Sequence, residues 1–188
     1  MSTNVRSYTD KQLLDFVKSS KDFKLIPENY WVLGVRSNED ENNKFDDKFY
    51  VFKGEKFIMV MSGTTNKGNG GTAVMECGWH YEVYLASDGV KVRHHRDKAP
   101  CLRQVKSIPY RRDYTNDLKT NPTTDIFTDI IHMNFHPASY DSKSNLIKTN
   151  IGGWSHGCQV WNDLKKGREF LKLFKDNGHT TYCLINEF

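Results

Sequence analysis

Ile151-Gly152-Gly153-Trp154-Ser155-His156-Gly157-Cys158-Gln159-Val160-Trp161 is the stretch on which the reading of this chain turns. Two glycines lead into it, a third stands directly before the cysteine, and a short apolar run follows. Glycine beside a nucleophile lets main-chain N–H groups come close to a substrate and point at a developing oxyanion. Further out, Ile130-Ile131-His132-Met133-Asn134 places a histidine behind a β-branched run, at the end of an expected strand over 126–133. A thiol on a glycine-bounded turn and a histidine on a neighbouring strand are the pair that nucleophilic cysteine chemistry needs. A free thiol of pKa ~8.5 is mostly protonated at neutral pH and needs a base. Cys158 is therefore the expected nucleophile and His132 its base. The N–H groups of Gly157 and Cys158 are the expected oxyanion donors, with Ser155 and His156 bracing the turn.

The flanks suggest a strand-rich frame. After the cysteine, Asn162 is an expected N-cap for a helix to about residue 176, with Leu164, Phe170, Leu171 and Phe174 on its buried face. Gly178 stops that helix, and a closing strand is expected over 179–185. Near the other end, Thr9-Asp10-Lys11-Gln12 has the form of a capping box ahead of Leu13, Leu14, Phe16 and Val17. Between the helices, strands are expected at 30–35, 48–52, 56–61, 79–85, 89–94 and 102–108. Lys53-Gly54-Glu55 and Ser87-Asp88-Gly89 would turn two hairpins. No repeat or linker interrupts this order. The expectation is one mainly β domain, 1–188, with residues 1–29 as an N-terminal helical extension.

With 188 residues the chain can bury one sizeable core, and its 13% of aromatic residues argues against disorder. Its formal charge of +4 is mild; it suits an anionic polymer without naming one. The first residues lack the apolar segment of a signal peptide, and no run is long enough to span a membrane. The expectation is a protein made soluble in the cytoplasm. Its four cysteines, without C-x-x-C spacing, then read as free thiols.

The sequence resembles the L,D-transpeptidase catalytic domain, whose signature is a histidine after an apolar strand and, further on, Ser/Thr-x-Gly-Cys. Here those are His132 and Ser155-His156-Gly157-Cys158, and a helix and closing strand follow as in the family. The resemblance covers roughly residues 30–187, with the Phe45-Asp46-Asp47 to Thr65-Asn66 segment, Tyr110-Arg111-Arg112-Asp113 and Trp154-Ser155 closer to a compact, phage-type or hydrolase-like branch. It implies a β-sandwich or open barrel and a cysteine enzyme that acts on peptidoglycan stem peptides through a thioester, with no cofactor, metal or nucleic acid. It further implies a base histidine oriented by a main-chain carbonyl. Trp154, Arg111, Tyr81 and His136 are the expected substrate contacts. This chain departs from the pattern in having Gln159-Val160-Trp161-Asn162 where the family has an early basic residue. It also has extra length at 134–148, expected to form a lid or acceptor-site wall. A phage-encoded enzyme that reaches the wall after release fits the missing signal, and water is the favoured acceptor.

Two other readings stand beside this one. His132-x-x-x-His136, with His156 or Cys158, could supply a zinc hydrolase, although Pro137 and the strand-like run before it oppose a helix. His94-His95 with Cys101 is a looser cluster of the same kind. Alternatively, Trp79, Tyr81 and Trp154 could serve a non-catalytic wall-binding module, which would have no need of a nucleophile.

Overall fold

The structure, a computed structural model, describes residues 6–39, 41–68, 72–86, 100–115, 120–141 and 143–188. The expected strand at 89–94, its turn at 87–89, and His94-His95 lie outside the described residues.

Local signals place the first elements. Thr9 caps helix α1 (Asp10–Lys18): its hydroxyl accepts from the Gln12 N–H, and the Gln12 side chain returns to the Thr9 N–H. Strand β1 (Tyr30–Arg36) follows, then β2 (Asp47–Lys53) and β3 (Lys56–Thr64), folded into a hairpin at Gly54, whose φ of +56° suits glycine. Next come β4 (Ala73–Met75), β5 (Gly78–Ala86), β6 (Leu102–Gln104), β7 (Ile108–Arg112), β8 (Phe127–Asp129), β9 (Phe135–Pro137) and β10 (Gln159–Trp161). Helix α2 (Leu164–Phe174) and β11 (His179–Asn186) complete the order.

Eight of these strands close into a barrel, ordered β1-β11-β5-β6-β9-β10-β3-β2, and β4-β7-β8 form a separate three-stranded sheet. The architecture is mainly β, and the barrel is closed where a sandwich or open barrel was expected. Two neighbouring pairs run parallel, β1 with β11 and β9 with β10. Parallel neighbours have no tight turn between them, so sequence cannot announce them as it announces a hairpin.

β1 shows why its run is apolar on both faces. Val32 points into the main core with Phe49, Phe135, Tyr182 and the α2 residues Phe170 and Phe174. Trp31, Leu33 and Val35 point the other way, under Leu13, Leu14 and Val17 of α1. The N-terminal extension is thus a lid over one barrel face. Gly167, mid-helix in α2, has a packing reason: a Cβ there would stand 1.8 Å from the Trp161 indole nitrogen.

Three expected boundaries are corrected. The 102–108 strand is two, β6 and β7. The N-cap of α2 is Asp163, whose carboxylate accepts from the Lys166 N–H, one position after Asn162. The 126–133 strand is only β8, ending at Asp129; beyond it the Ile131 and Met133 N–H groups turn onto the Gln104 side chain, and His132 between them takes φ +57°. Among the described residues no helix is long and apolar enough to cross a membrane.

Candidate active site

The turn carrying Cys158 is fastened on every side. The Ser155 hydroxyl accepts from the Gly157 N–H at 3.0 Å and lies 2.9 Å from the Cys158 carbonyl, to which it can donate. The Gly68 N–H donates to the Ser155 carbonyl at 2.8 Å, and the Ala73 N–H to the His156 carbonyl at 3.1 Å. Just beyond, the Gln159 N–H reaches the Asn134 carbonyl, which brings the cysteine beside the His132 loop. Behind the turn, the Gln159 amide accepts from the Tyr182 hydroxyl at 2.9 Å, linking it to the barrel core.

Gly157 is required twice over. Its φ of +130° is costly for any other residue, and a Cβ would stand 2.5 Å from the Ala73 carbonyl oxygen. Gly157→Ala is therefore expected to cost at least about 2 kcal/mol and to displace the thiol. Denaturant unfolding together with the alkylation rate of Cys158 checks both; a variant matching the wild type in each would refute the constraint.

Cys158 lies at the floor of a cleft of about 500 Å³, walled by Ala73, Ile131, His132, Met133, Tyr140, Trp154 and His156. The thiol is 9% exposed, whereas His132 and His156 are exposed at the cleft walls. Its Sγ lies 3.5 Å from the main-chain carbonyl of His132, to which it donates. Among the described residues neither imidazole is hydrogen-bonded to the thiol. Burial pushes the Cys158 thiol up to about 11, against which the Asn134 N–H, favouring the thiolate, works weakly. The resting thiol is thus neutral, held against a carbonyl, with two histidines in reach of the same cavity.

The expected oxyanion pair is half available. The Gly157 N–H is spent on Ser155, while the Cys158 N–H has no partner among the described residues. Trp154 sits on a 3-10 turn (Gly152–Trp154), edge-on to Tyr140 at 4.4 Å, and the two rings make one aromatic wall.

Three expected substrate contacts are elsewhere. His136 is not on a lid: it belongs to β9, pairs with Val160 of β10, and is 1% exposed. Arg111 is held within the small sheet, its Nε donating to Glu76 at 2.7 Å and its Nη1 to the Thr123 and Thr124 carbonyls. Tyr81 stacks on Trp79 at 5.3 Å, and its hydroxyl accepts from the Lys24 and Leu25 N–H groups. Trp79 itself is 8% exposed under the N-terminal extension, with its indole N–H on the Val17 carbonyl. Trp79 thus packs under the N-terminal extension, with Tyr81 half-buried beside it. His136, buried in β9, does not line the cleft that His132 borders, and among the described residues no group of three or more His, Cys, Asp or Glu could hold a metal ion.

Sequence reasoning missed Tyr140, Gln104 and the ion pair of Lys67 with Asp113. Tyr140 lies in the extra 134–148 segment, whose first residues form β9, so only the part after Pro137 borders the cleft. Lys67 and Asp113 are 2% and 0% exposed and lie 3.2 Å apart, between the end of β7 and the residue preceding Gly68. A lysine in a polar glycine-rich loop gives no local sign of burial. Compared with protein-family models, with curated proteins and with solved structures, the chain finds no match.

Proposed function

We propose that this chain is a cysteine acyl-transfer enzyme of the L,D-transpeptidase type that cleaves a peptide bond in peptidoglycan stem peptides. The observation that carries the reading is the thiol of Cys158 at the floor of a cleft whose walls present His132 and His156. The turn's resemblance to the family's Ser-x-Gly-Cys signature supplies the substrate class.

In the reaction, His132 takes the thiol proton as sulfur attacks the carbonyl carbon of the scissile amide. The carbonyl oxygen becomes an oxyanion against the Cys158 N–H, a donor available for that role. Collapse breaks the C–N bond, and the imidazolium returns its proton to the leaving amine, which leaves a thioester on Cys158. Water attacks the thioester carbon with its proton passing to His132, and the thiolate leaves and is reprotonated. An amine in place of water would make the same intermediate a transferase. The aromatic wall of Trp154 and Tyr140 offers apolar contact to the peptide stem beside the reacting bond.

Purified peptidoglycan digested with the protein and weighed by mass spectrometry is the test. Shortened stem peptides are expected, with release abolished by iodoacetamide and unaffected by EDTA. Loss of activity with EDTA and its return with zinc would replace the thiol mechanism by a metal one. Binding to peptidoglycan without any released peptide would leave a wall-binding module. Exchange of a terminal residue for added D-methionine, at a rate rivalling hydrolysis, would make the enzyme a transpeptidase.

A further inference from the structure

Gln104 ends β6 with 2% of its surface exposed, and all of its side-chain hydrogen-bonding capacity is used. Its Oε1 accepts from the Ile131 N–H at 3.2 Å and from the Met133 N–H at 2.8 Å. Its Nε2 donates to the Lys106 carbonyl at 2.9 Å and to the Asp129 carbonyl at 3.0 Å. The Gln104 N–H in turn donates to Asn134 Oδ1 at 3.0 Å. One buried residue therefore grips the chain at 129, 131, 133 and 134.

His132 is the residue between the two gripped amides, and its φ is +57°. A histidine holds that conformation only where its surroundings over-determine it. The consequence is geometric: the His132 carbonyl is turned onto the Asn134 N–H at 2.8 Å and to within 3.5 Å of the Cys158 sulfur. Its side chain is left in the cleft. Only an amide satisfies this place. A carboxylate would face the Lys106 and Asp129 carbonyl oxygens, and an apolar side chain would strand two N–H groups and two carbonyls.

We infer that Gln104 is the positioning residue of the catalytic pair, its amide fixing the main chain on both sides of His132 and thereby the histidine's place beside Cys158. This rests on the cysteine-peptidase reading, since it takes His132 as the base. Gln104 touches no substrate; it acts through His132. Its effect falls on the chemical step and on the pH dependence of the thiol, not on substrate affinity.

The test uses the full chain and two readouts: the amide–Hα coupling of His132 by NMR, which reports φ, and iodoacetamide alkylation of Cys158 followed on its own peptide by mass spectrometry from neutral to alkaline pH. His132→Ala is the reference. In Gln104→Met the coupling should leave the positive-φ range, and neutral-pH alkylation should fall at least about tenfold, to the level of His132→Ala, as loss of a positioned base requires. The alkaline limb, where the thiolate forms unaided, should persist, and kcat should fall with KM little changed. Gln104→Glu keeps the acceptor toward the Ile131 and Met133 N–H groups but sets its second oxygen against the Lys106 and Asp129 carbonyls, so both readouts should move together, each short of the Gln104→Met change.

Retention of either the coupling or the neutral-pH alkylation in Gln104→Met would overturn the inference. If that variant does not fold, loss of alkylation in Gln104→Glu with an unchanged His132 coupling would overturn it instead. Equal alkylation of wild type and His132→Ala at every pH would remove His132 as base, and Gln104's role with it. The expected alkylation pattern without any released stem peptide would leave Gln104 in place and overturn only the substrate reading.

Discussion

Cys158→Ala is expected to release no stem peptide at all while still unfolding cooperatively. Cys158 is the one thiol lining the cleft among the described residues, and nothing else there can form the thioester. The substitution leaves the frame intact. The Asn134 N–H keeps its 2.8 Å bond to the His132 carbonyl, and the small cluster of Phe45, Ala138, Ile151 and Val160 loses only a sulfur atom, about 1 kcal/mol. The wild-type thiol adds a pH signature. Pushed up to about 11 by burial, it is neutral over most of the working range, so alkylation by the unaided thiolate should climb with pH through the alkaline region. Reactivity at neutral pH above that limb measures the help of a base. The sign for stability follows: a thiol raised above its ordinary value favours the protonated fold, so its contribution is present below about 8.5 and lost as pH rises towards about 11. Peptide mass spectrometry and a pH series of unfolding curves check these. Peptide release by Cys158→Ala, or a flat alkylation profile, would end the thiol mechanism.

Asp113→Ala should produce the largest loss of stability, about 3–5 kcal/mol, the usual cost of breaking one side of a buried ion pair. Without the carboxylate, the Lys67 ammonium stays buried with the Asp113 and Thr115 carbonyls as its partners among the described residues. The carboxylate also accepts from the Thr115 N–H and hydroxyl and from the Asn121 N–H, so three loop hydrogen bonds are lost as well. Replacing both partners, Lys67→Met with Asp113→Ala, should recover a good part of the loss, because no uncompensated charge remains. The acid behaviour has a definite sign. Burial pushes the Asp113 carboxyl up, but the Thr115 hydroxyl, the Asn121 and Thr115 N–H groups and Lys67 together hold it below the ordinary carboxylate range. Its stabilisation is therefore complete at neutral pH and is lost as pH falls below about 4 and through its lower folded value. Chemical unfolding of the three proteins measures this. A single variant within about 1 kcal/mol of wild type, or a double variant no more stable than the single, would refute it.

What sequence announced and what it hid divides along a physical line. The Thr9 capping box, the Gly54 hairpin and the Ser155–Gly157 contact are local: neighbours in the chain supply both halves of the interaction. The neighbourhood of Cys158 was legible for the same reason, since glycine and small polar residues around a thiol declare a tight turn. The His132 loop was not. Ile130-Ile131 reads as a continuing strand, but Gln104, 27 residues away from Ile131, bends the chain there. Ile126, Phe127 and Ile130 are 55%, 42% and 42% exposed, because β8 is the edge of a small sheet and apolar residues on an edge need not be buried. His136 before Pro137 looks like a loop, and only the parallel partner β10 makes it barrel interior. Arg111 resembles a carboxylate binder and is one, but the carboxylate belongs to Glu76.

The seam of the barrel also sets the order of events during synthesis. β11 lies between β1 and β5, in register from Val32 with Tyr182 to Arg36 with Asn186, so the first barrel strand waits for the last. Phe170, Phe174, Tyr182 and Leu184 of the main core arrive with the same late residues. A growing chain on the ribosome therefore has no closed core on which to seat the Cys158 turn, and long-range pairing of this kind forms slowly once it can begin. The Cys158 turn is put together only after translation has passed β11. Until then the nascent polypeptide carries Cys158 and His132 without the cleft that brings them together.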